Sequence, residues 1–260
     1  MTRPALLVEV RSYLDQYLRI GEFPDYPNAL NGLQVENGGE VTRVVAAVDA
    51  SQATIDAAAA GDGPALLLVH HGLFWDGNQP VTGRRYRRIR TLLNHDTALY
   101  SAHLPLDAHP SLGNNILLAH RLQLDVRGWF GSYQGHNVGV WGYATHSHAT
   151  RGALGEALEA ILGLASPPRV IAGGPERPSR VGIVTGGAGS MIAAARDAGL
   201  DTFITGEGSH HTYFDAMEWG INVVYAGHYA TERLGVEALA GHLAQRFGLP
   251  WKFHDQPTGL

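Results

Sequence analysis

Two adjacent histidines, His70 and His71, end the aliphatic run A-L-L-L-V at positions 65–69. A single histidine at the end of a strand is ordinarily a hydrogen-bonded polar residue, but a pair there suggests a metal site. The chain contains no cysteine, so a metal would be bound by imidazole and carboxylate groups. Such ligands suit zinc, iron, manganese or cobalt.

Two further histidines are each followed, four residues later, by an acidic residue. His103 precedes Asp107, and His228 precedes Glu232, each shortly after a strand-like segment. Because sites in α/β sheets form at the carboxyl ends of strands, we expect these groups to share one site with the histidine pair. His103 is a candidate positioning group or proton carrier, or alternatively a buried hydrogen-bonding residue.

The elements that would position these residues alternate between strand and helix. The pattern predicts strands at 43–49, 64–69 and 97–103, with helices at 51–61 and 83–96 between them. Leu6, Leu7, Val10, Leu14 and Leu18 predict an amphipathic N-terminal helix. Alternation of this kind predicts an α/β fold with crossover helices.

The second half of the chain repeats the pattern of the first. The segment beginning at Arg43-Val44 aligns with the one beginning at Arg180-Val181, and L-Y-S-A-H-L-P-L-D aligns with V-Y-A-G-H-Y-A-T-E. We predict two related α/β lobes produced by internal duplication, residues 1–126 and 127–260, joined through the Gly- and aromatic-rich segment 127–145. A C-terminal helix at 231–248 could pack back on the first lobe, and the metal site is expected in the interlobe cleft.

The composition excludes several other classes of function. The net charge of −5 disfavours a nucleic-acid-binding protein. The only lysine is Lys252, so a phosphate-binding G-K-S/T loop is absent and a catalytic Schiff base is disfavoured. No apolar run reaches the roughly 20 residues that span a membrane, so we expect a soluble, cytoplasmic protein with no membrane partner.

Three further motifs leave alternatives open. Five arginines between positions 84 and 90 form either a solvated helix face or a contact to a substrate phosphate. The segment T-G-G-A-G-S-M at 185–191 could bind an anion, but a plain tight turn is favoured. The segment T-H-S-H at 145–148 is interpreted as surface polar residues.

The motifs N-G-L-Q-V-E, V-H-H-G-L-F-W, S-A-H-L-P-L-D, T-G-E-G-S-H-H and G-H-Y-A-T-E together resemble, in this order, the Nif-three-like dinuclear metal-centre family. Its bacterial members are named GTP cyclohydrolase I type 2 homologues. The resemblance covers about residues 5–250 and implies two divalent metal ions, zinc, iron or manganese, and a toroidal homohexamer. It implies these metal ligands: His70, His71, Asp107, His228 and Glu232. Its pattern leaves open the roles of Glu207, His210 and His211.

The function that follows is a metal-dependent hydrolase, similar to a cyclohydrolase, acting on a small anionic or nucleotide-like substrate. Two divalent ions and two carboxylates leave a positive site, and paired metals can activate a water molecule. The alternative is a non-catalytic metal-binding or metal-delivery protein, or a protein-interaction scaffold. Metal binding without turnover of any nucleotide or phosphoester would favour that alternative.

Overall fold

A computed structural model describes residues 3–145 and 149–260, so most of the T-H-S-H motif lies outside the described residues. The strands are β1 (Ala5–Leu6), β2 (Gly32–Val35), β3 (Glu40–Val41), β4 (Arg43–Asp49), β5 (Ala65–His71), β6 (Thr97–Ser101), β7 (Asp125–Tyr133), β8 (His136–Tyr143), β9 (Arg169–Ala172), β10 (Arg180–Ile183), β11 (Thr202–Thr205), β12 (Asn222–Tyr225) and β13 (Trp251–Phe253). The helices are α1 (Leu7–Tyr17), α2 (Gln52–Ala59), α3 (Gly83–Asn94), α4 (Leu104–Asp107), α5 (Asn114–Arg121), α6 (Arg151–Leu162), α7 (Ile192–Asp197), α8 (Thr212–Trp219) and α9 (His228–Phe247). This confirms the predicted mixed α/β class. Among the helices of the described residues, none combines the length and apolar character that a membrane crossing requires.

The first compact unit contains the chain up to Leu106 together with Gly235–Gln256. Its main sheet has the strand order β13-β4-β5-β6-β2, in which β13, β4, β5 and β6 run parallel and β2 is antiparallel to β6. The aliphatic residues of β5 are buried completely, as expected for a strand covered on both faces. Parallel pairing brings the carboxyl ends of β4, β5 and β6 to one edge, where Asp49 pairs in register with His71.

The helices of the first unit follow the predicted patterns closely. Helix α1 buries Leu7, Val10 and Leu14, whereas Leu6 lies before the helix in β1 and is 48% exposed. Helix α2 begins where the sequence predicts, because the Ser51 hydroxyl accepts a hydrogen bond from the Thr54 amide and caps the first turn. These elements enclose an apolar core that includes Val45, Ile55, Leu67, Leu92 and Leu99.

The second compact unit contains Asp107–Leu234 and Pro257–Leu260. Its sheet has the order β7-β8-β10-β11-β12-β9, with β10, β11 and β12 parallel and the other pairs antiparallel. The Gly- and aromatic-rich segment, expected to join the lobes, forms the β7–β8 hairpin of this sheet. Gln134 and Gly135 form its two-residue turn, both with positive φ, as a type I′ turn requires.

Both units contain the same consecutive run of parallel strands and helices. In the first unit the order is β4-α2-β5-α3-β6, and in the second it is β10-α7-β11-α8-β12. His103 follows β6 and His228 follows β12, at the positions where the predicted repeat aligns them. This correspondence is what a duplication of one α/β unit would produce.

The boundaries of the compact units differ from the division at residue 126. The chain enters the second unit between Leu106 and Asp107, because α5 packs Ile116, Leu118 and Leu122 into the core of that unit. It leaves the second unit inside α9, whose residues from Gly235 onward belong to the first. Apolar packing, rather than the position of the hairpin, therefore determines where each unit begins.

Candidate metal centre

The paired histidines both lie within β5, at its carboxyl end. Their ring centroids are 4.8 Å apart, with an angle of 51° between the ring planes. His70 is completely buried, and His71 is half-buried. The structure places them side by side while both residues remain in the strand.

His103 joins this pair from the end of the neighbouring strand β6. Its ring centroid lies 4.9 Å from that of His70 and 5.6 Å from that of His71. One ring nitrogen from each of the three histidines can be chosen so that all lie within 4.8 Å of one another. Neutral imidazoles in this arrangement could hold a metal ion. His103 therefore lies among the possible ligands as well as in the positioning role that the sequence suggested.

Hydrogen bonds fix which nitrogen each of the paired histidines presents. The Nδ1 of His70 lies 2.8 Å from the Ala102 carbonyl oxygen, which can only accept, so Nδ1 carries the proton. The Nδ1 of His71 lies 2.9 Å from Oδ1 of Asp49. Metal-binding histidines characteristically donate one ring N–H to such an oxygen and bind the metal with the other nitrogen. This pattern assigns Nε2 as the ligand atom of both residues.

His103 is positioned by the loop that precedes β2. Its Nδ1 lies 2.9 Å from Oδ1 of Asp25, and its backbone amide donates to Oδ1 of Asn31 at 2.7 Å. Burial alone would raise the pKa of Asp25, but its hydrogen bonds and the charge of His103 outweigh burial and hold that pKa below its usual range. Asp25 is therefore a carboxylate and orients the imidazole as Asp49 orients His71.

The second unit presents an imidazole–carboxylate pair at the start of α9. His228 and Glu232 are four residues apart and therefore share one helix face, with 3.1 Å between Nε2 and Oε2. The Nδ1 of His228 lies 2.8 Å from Oε1 of Glu207, which follows β11. Burial opposes the charged imidazole, but the bonds and charges of Glu232 and Glu207 prevail and raise the pKa of His228 to about 9.

The glycine-rich segment after β10 makes room for Glu232. Gly186 has a φ of 70°, and a Cβ built on it would lie 1.9 Å from Oε1 of Glu232. Its amide donates a hydrogen bond of 3.0 Å to the Thr231 hydroxyl. The segment bends at Gly186 and Gly187 and continues as a 3₁₀ helix at Gly189–Met191, which differs from the plain tight turn favoured from the sequence. Gly186 allows the backbone to pass close to a candidate ligand.

Asp107 is also buried in the second unit, with 4% of its surface exposed. Its Oδ1 accepts a hydrogen bond of 2.7 Å from the side-chain Nδ2 of Asn114 and a longer one of 3.4 Å from the Thr185 hydroxyl. A buried carboxylate fixed in this way is suited to bind a cation, because its position is set before the cation arrives.

The remaining histidines of the T-G-E-G-S-H-H motif have different surroundings. His210 and His211 are exposed, and the ring of His210 packs on its edge against Phe214. In the part of the chain that the structure describes, neither belongs to a group of side chains able to hold a metal ion. Glu207 is the member of this motif that contacts a candidate ligand.

Sequence reasoning did not identify Asp25 and Asp49, which orient the imidazoles of His103 and His71. It also did not identify Asn31, which bonds to the backbone amide of His103 and to the Asp25 carboxylate. Asn31 opens the N-G-L-Q-V-E motif, so the resemblance carried a signal for it. The same motif contains Gln34, whose Oε1 accepts from the Leu73 amide and fixes the loop after His71. Asp49 ends the predicted strand beside the histidine strand, and parallel pairing of these two strands places it in register with His71.

Comparison with known proteins identifies the family of this chain. A family model described as Duf34/NIF3 (NGG1p interacting factor 3) matches residues 5–258. Proteins of Deinococcus radiodurans and Yersinia pestis, both named GTP cyclohydrolase 1 type 2 homolog, are 43% and 44% identical. These alignments cover 97% and 96% of this chain, and 94% and 98% of the relatives.

Solved structures show the same fold over nearly the whole chain. The protein ybgI, described as of unknown function, is 39% identical, with a TM-score of 0.89 over 98% of this chain and 100% of its own. TTHA1606 from Thermus thermophilus is 40% identical, with a TM-score of 0.85 and the same coverage. The predicted resemblance is therefore confirmed, and this chain belongs to the Duf34/NIF3 family.

Proposed function

We propose that this protein binds two divalent metal ions and uses them for hydrolysis. The proposed ligands are those implied by the family resemblance: His70, His71, Asp107, His228 and Glu232. The observation that carries the proposal is a shared feature of the candidate histidines. Each of His70, His71 and His228 has Nδ1 next to an oxygen acceptor, which leaves Nε2 as the nitrogen that would bind a metal. In His228 this nitrogen pairs with Glu232, and a bound metal would replace the proton between these two proposed ligands.

The chemistry of the donor set supports zinc, iron or manganese. The residues offer only imidazole nitrogen and carboxylate oxygen, which are ordinary ligands of these ions. His70, Asp107 and Glu232 are buried, so their positions are fixed by packing as well as by hydrogen bonds.

The proposed reaction is hydrolysis of a small anionic substrate. When bound, a pair of divalent ions can lower the pKa of a water molecule and stabilise developing negative charge. Five protein ligands leave positions open on two ions for water and substrate. Asp49 and Glu207 would keep the rings of His71 and His228 in place. His103, oriented by Asp25, would bind a metal ion or transfer a proton beside these ligands.

The names of the relatives support the finer assignment to nucleotide-like substrates. A cyclohydrolase would add water to a carbon of the imidazole ring of GTP. We propose this class of reaction as the first to test, since a shared family name does not by itself establish a shared substrate.

The test is turnover by metal-reconstituted protein. Purified chain loaded separately with zinc, manganese or iron is incubated with GTP, other nucleotides and simple phosphoesters, and ring opening and phosphate release are measured. We expect turnover that requires metal and is lost in His71→Ala but retained in His95→Ala, a change at the exposed end of α3. Bound, exchangeable metal without turnover of any substrate would instead favour a metal-delivery or scaffold role.

A further inference from the structure

A cavity of about 210 Å³ adjoins His71 within the first unit. Its walls come from the end of β4, the start of α2, the loop after β5 and the first turns of α3. Its volume is below the roughly 300–1,000 Å³ of sites that enclose a whole drug-sized ligand. The cavity therefore suits one group of a substrate rather than a complete nucleotide.

Arginines dominate the charge of this cavity. Arg84, Arg85 and Arg88 line it, and the opposing charges on its wall are Asp49 and Asp76. Three guanidinium groups against two carboxylates leave a net positive charge. The start of α2, at Ala50 and Ser51, also lies in the wall, and the positive end of a helix adds to the attraction for an anion.

Arg85 forms part of the wall and holds its shape. It is 7% exposed, and it donates hydrogen bonds to the carbonyl oxygens of Gln79 and Gly77 and to the Asp76 carboxylate. Its guanidinium also lies over the ring of Phe74. The interpretation of 84–90 as a solvated face therefore fails for Arg85, although Arg84, Arg87 and Arg90 are exposed.

Arg88 is the arginine with charge available for a ligand. It is half-buried, and it forms neither a hydrogen bond nor an ion pair with any of the residues the structure describes. Burial, together with repulsion from Arg84 and Arg87, lowers its pKa, and the attraction of Asp76 and Asp49 offsets this only in part. A nearby anion would relieve this repulsion and compensate for the loss of hydration.

Three N–H donors on residues of the cavity wall are themselves buried and have no hydrogen-bond partner among residues 3–145 and 149–260: Nε1 of Trp75, Nε of Arg85 and Nε of Arg88. The terminal guanidinium nitrogens of Arg88 are not among these buried atoms, so they are the donors that a ligand in the cavity would reach. A phosphate group carries several strongly accepting oxygens, and arginine is well suited to bind it.

We propose that this cavity, lined by Trp75, Arg84, Arg85 and Arg88, binds a phosphate group of the substrate. The phosphate would lie beside the candidate metal ligand His71, which would place the rest of a phosphate ester at the metal centre. The assignment of this phosphate to a substrate rests on the proposed hydrolytic function, whereas phosphate binding by the cavity can be measured independently.

The test is calorimetric titration of the full chain after metal has been removed with a chelator. Inorganic phosphate and phenyl phosphate are titrated separately into wild-type protein, Arg88→Gln, Arg88→Lys, Arg84→Gln and Arg87→Gln. We expect saturable binding of both ligands, weakened about tenfold in Arg88→Gln, which is the loss of one charge-assisted hydrogen bond. Arg88→Lys should retain part of the affinity. Arg87→Gln, on the same helix but outside the cavity, should bind as wild type.

The proposal is overturned if neither ligand binds saturably, or if Arg87→Gln and Arg88→Gln lose affinity equally, which would indicate a diffuse basic surface. Binding of inorganic phosphate without phenyl phosphate would contradict the substrate assignment. Metal content, measured on portions of the same preparations after reconstitution with metal, separates the two proposals. Normal metal binding without phosphate binding refutes only the cavity proposal, and phosphate binding by protein that cannot be loaded with metal refutes only the hydrolase proposal. Melting temperatures identify any variant that fails to fold. If Arg88→Gln does not fold, weaker phosphate binding by Arg84→Gln, a change in the same cavity wall, tests the proposal in its place.

Discussion

The Nδ1 atom of His71 lies 2.9 Å from Oδ1 of Asp49, and both side chains line the arginine-rich cavity. Asp49 therefore has two effects on its surroundings. It orients the imidazole of a candidate metal ligand, and it places a negative charge on the wall of a cavity suited to anions. These effects have opposite consequences for the binding of a metal and of a phosphate.

Replacing Asp49 with asparagine should separate the two effects. Asp49→Asn retains an acceptor oxygen but removes the charge, so metal affinity should fall about tenfold, as for other changes to groups that orient metal ligands. Phosphate affinity should rise a few-fold, because a repelling charge is lost. Competition with a chromogenic chelator measures the first and calorimetry the second. Asp56→Asn, an exposed change in α2, should alter neither, and a fall in both affinities for Asp49→Asn would contradict this interpretation.

Gly186→Ala should weaken metal binding through Glu232. An added Cβ at position 186 would overlap Oε1 of Glu232 and force the carboxylate to move. Gly163→Ala is the matched control, because Gly163 has a similar φ of 65° with no atom near the added Cβ. Both changes should cost about 1–2 kcal/mol of stability from the left-handed backbone.

Only Gly186→Ala should also reduce metal affinity, by tenfold or more. Denaturant unfolding and chelator competition on the two variants measure these quantities. Equal metal affinity in Gly186→Ala and Gly163→Ala would show that Glu232 does not depend on the space at this glycine.

The sequence predicted those features that depend on local pattern. Strand β4 and the cap of α2 occur at the expected positions, because burial periodicity and Ser51 specify them directly. The clustering of His70, His71 and His103 was also predictable, since the carboxyl ends of adjacent parallel strands meet at one edge.

Features that depend on long-range packing were not predictable from one sequence. Asp25 contacts His103 across 78 positions of the chain, and no local pattern marks that contact. Arg85 and Arg87 have the same residue type on the same helix, yet one is buried in a wall and the other is exposed. The loop 74–79, which covers Arg85, makes that difference, and its course depends on tertiary packing.

A homohexamer is expected from the family resemblance. Multi-angle light scattering of the purified chain should report a mass near six times that of one chain. The measurement should be repeated after metal removal, which tests whether assembly depends on the metal centre. A stable monomer at micromolar concentration would contradict the hexamer and leave the ligand assignment untouched.

The most direct test of the dinuclear assignment is elemental analysis of the chain after reconstitution with zinc, manganese or iron and removal of loosely bound ions. Wild-type protein should retain close to two divalent ions per chain. His71→Ala and Glu232→Ala should each retain far fewer, whereas His95→Ala, which removes an exposed imidazole from the end of α3, should match wild type. Wild-type protein that is folded but retains no ion after reconstitution with any of the three metals would contradict the dinuclear centre.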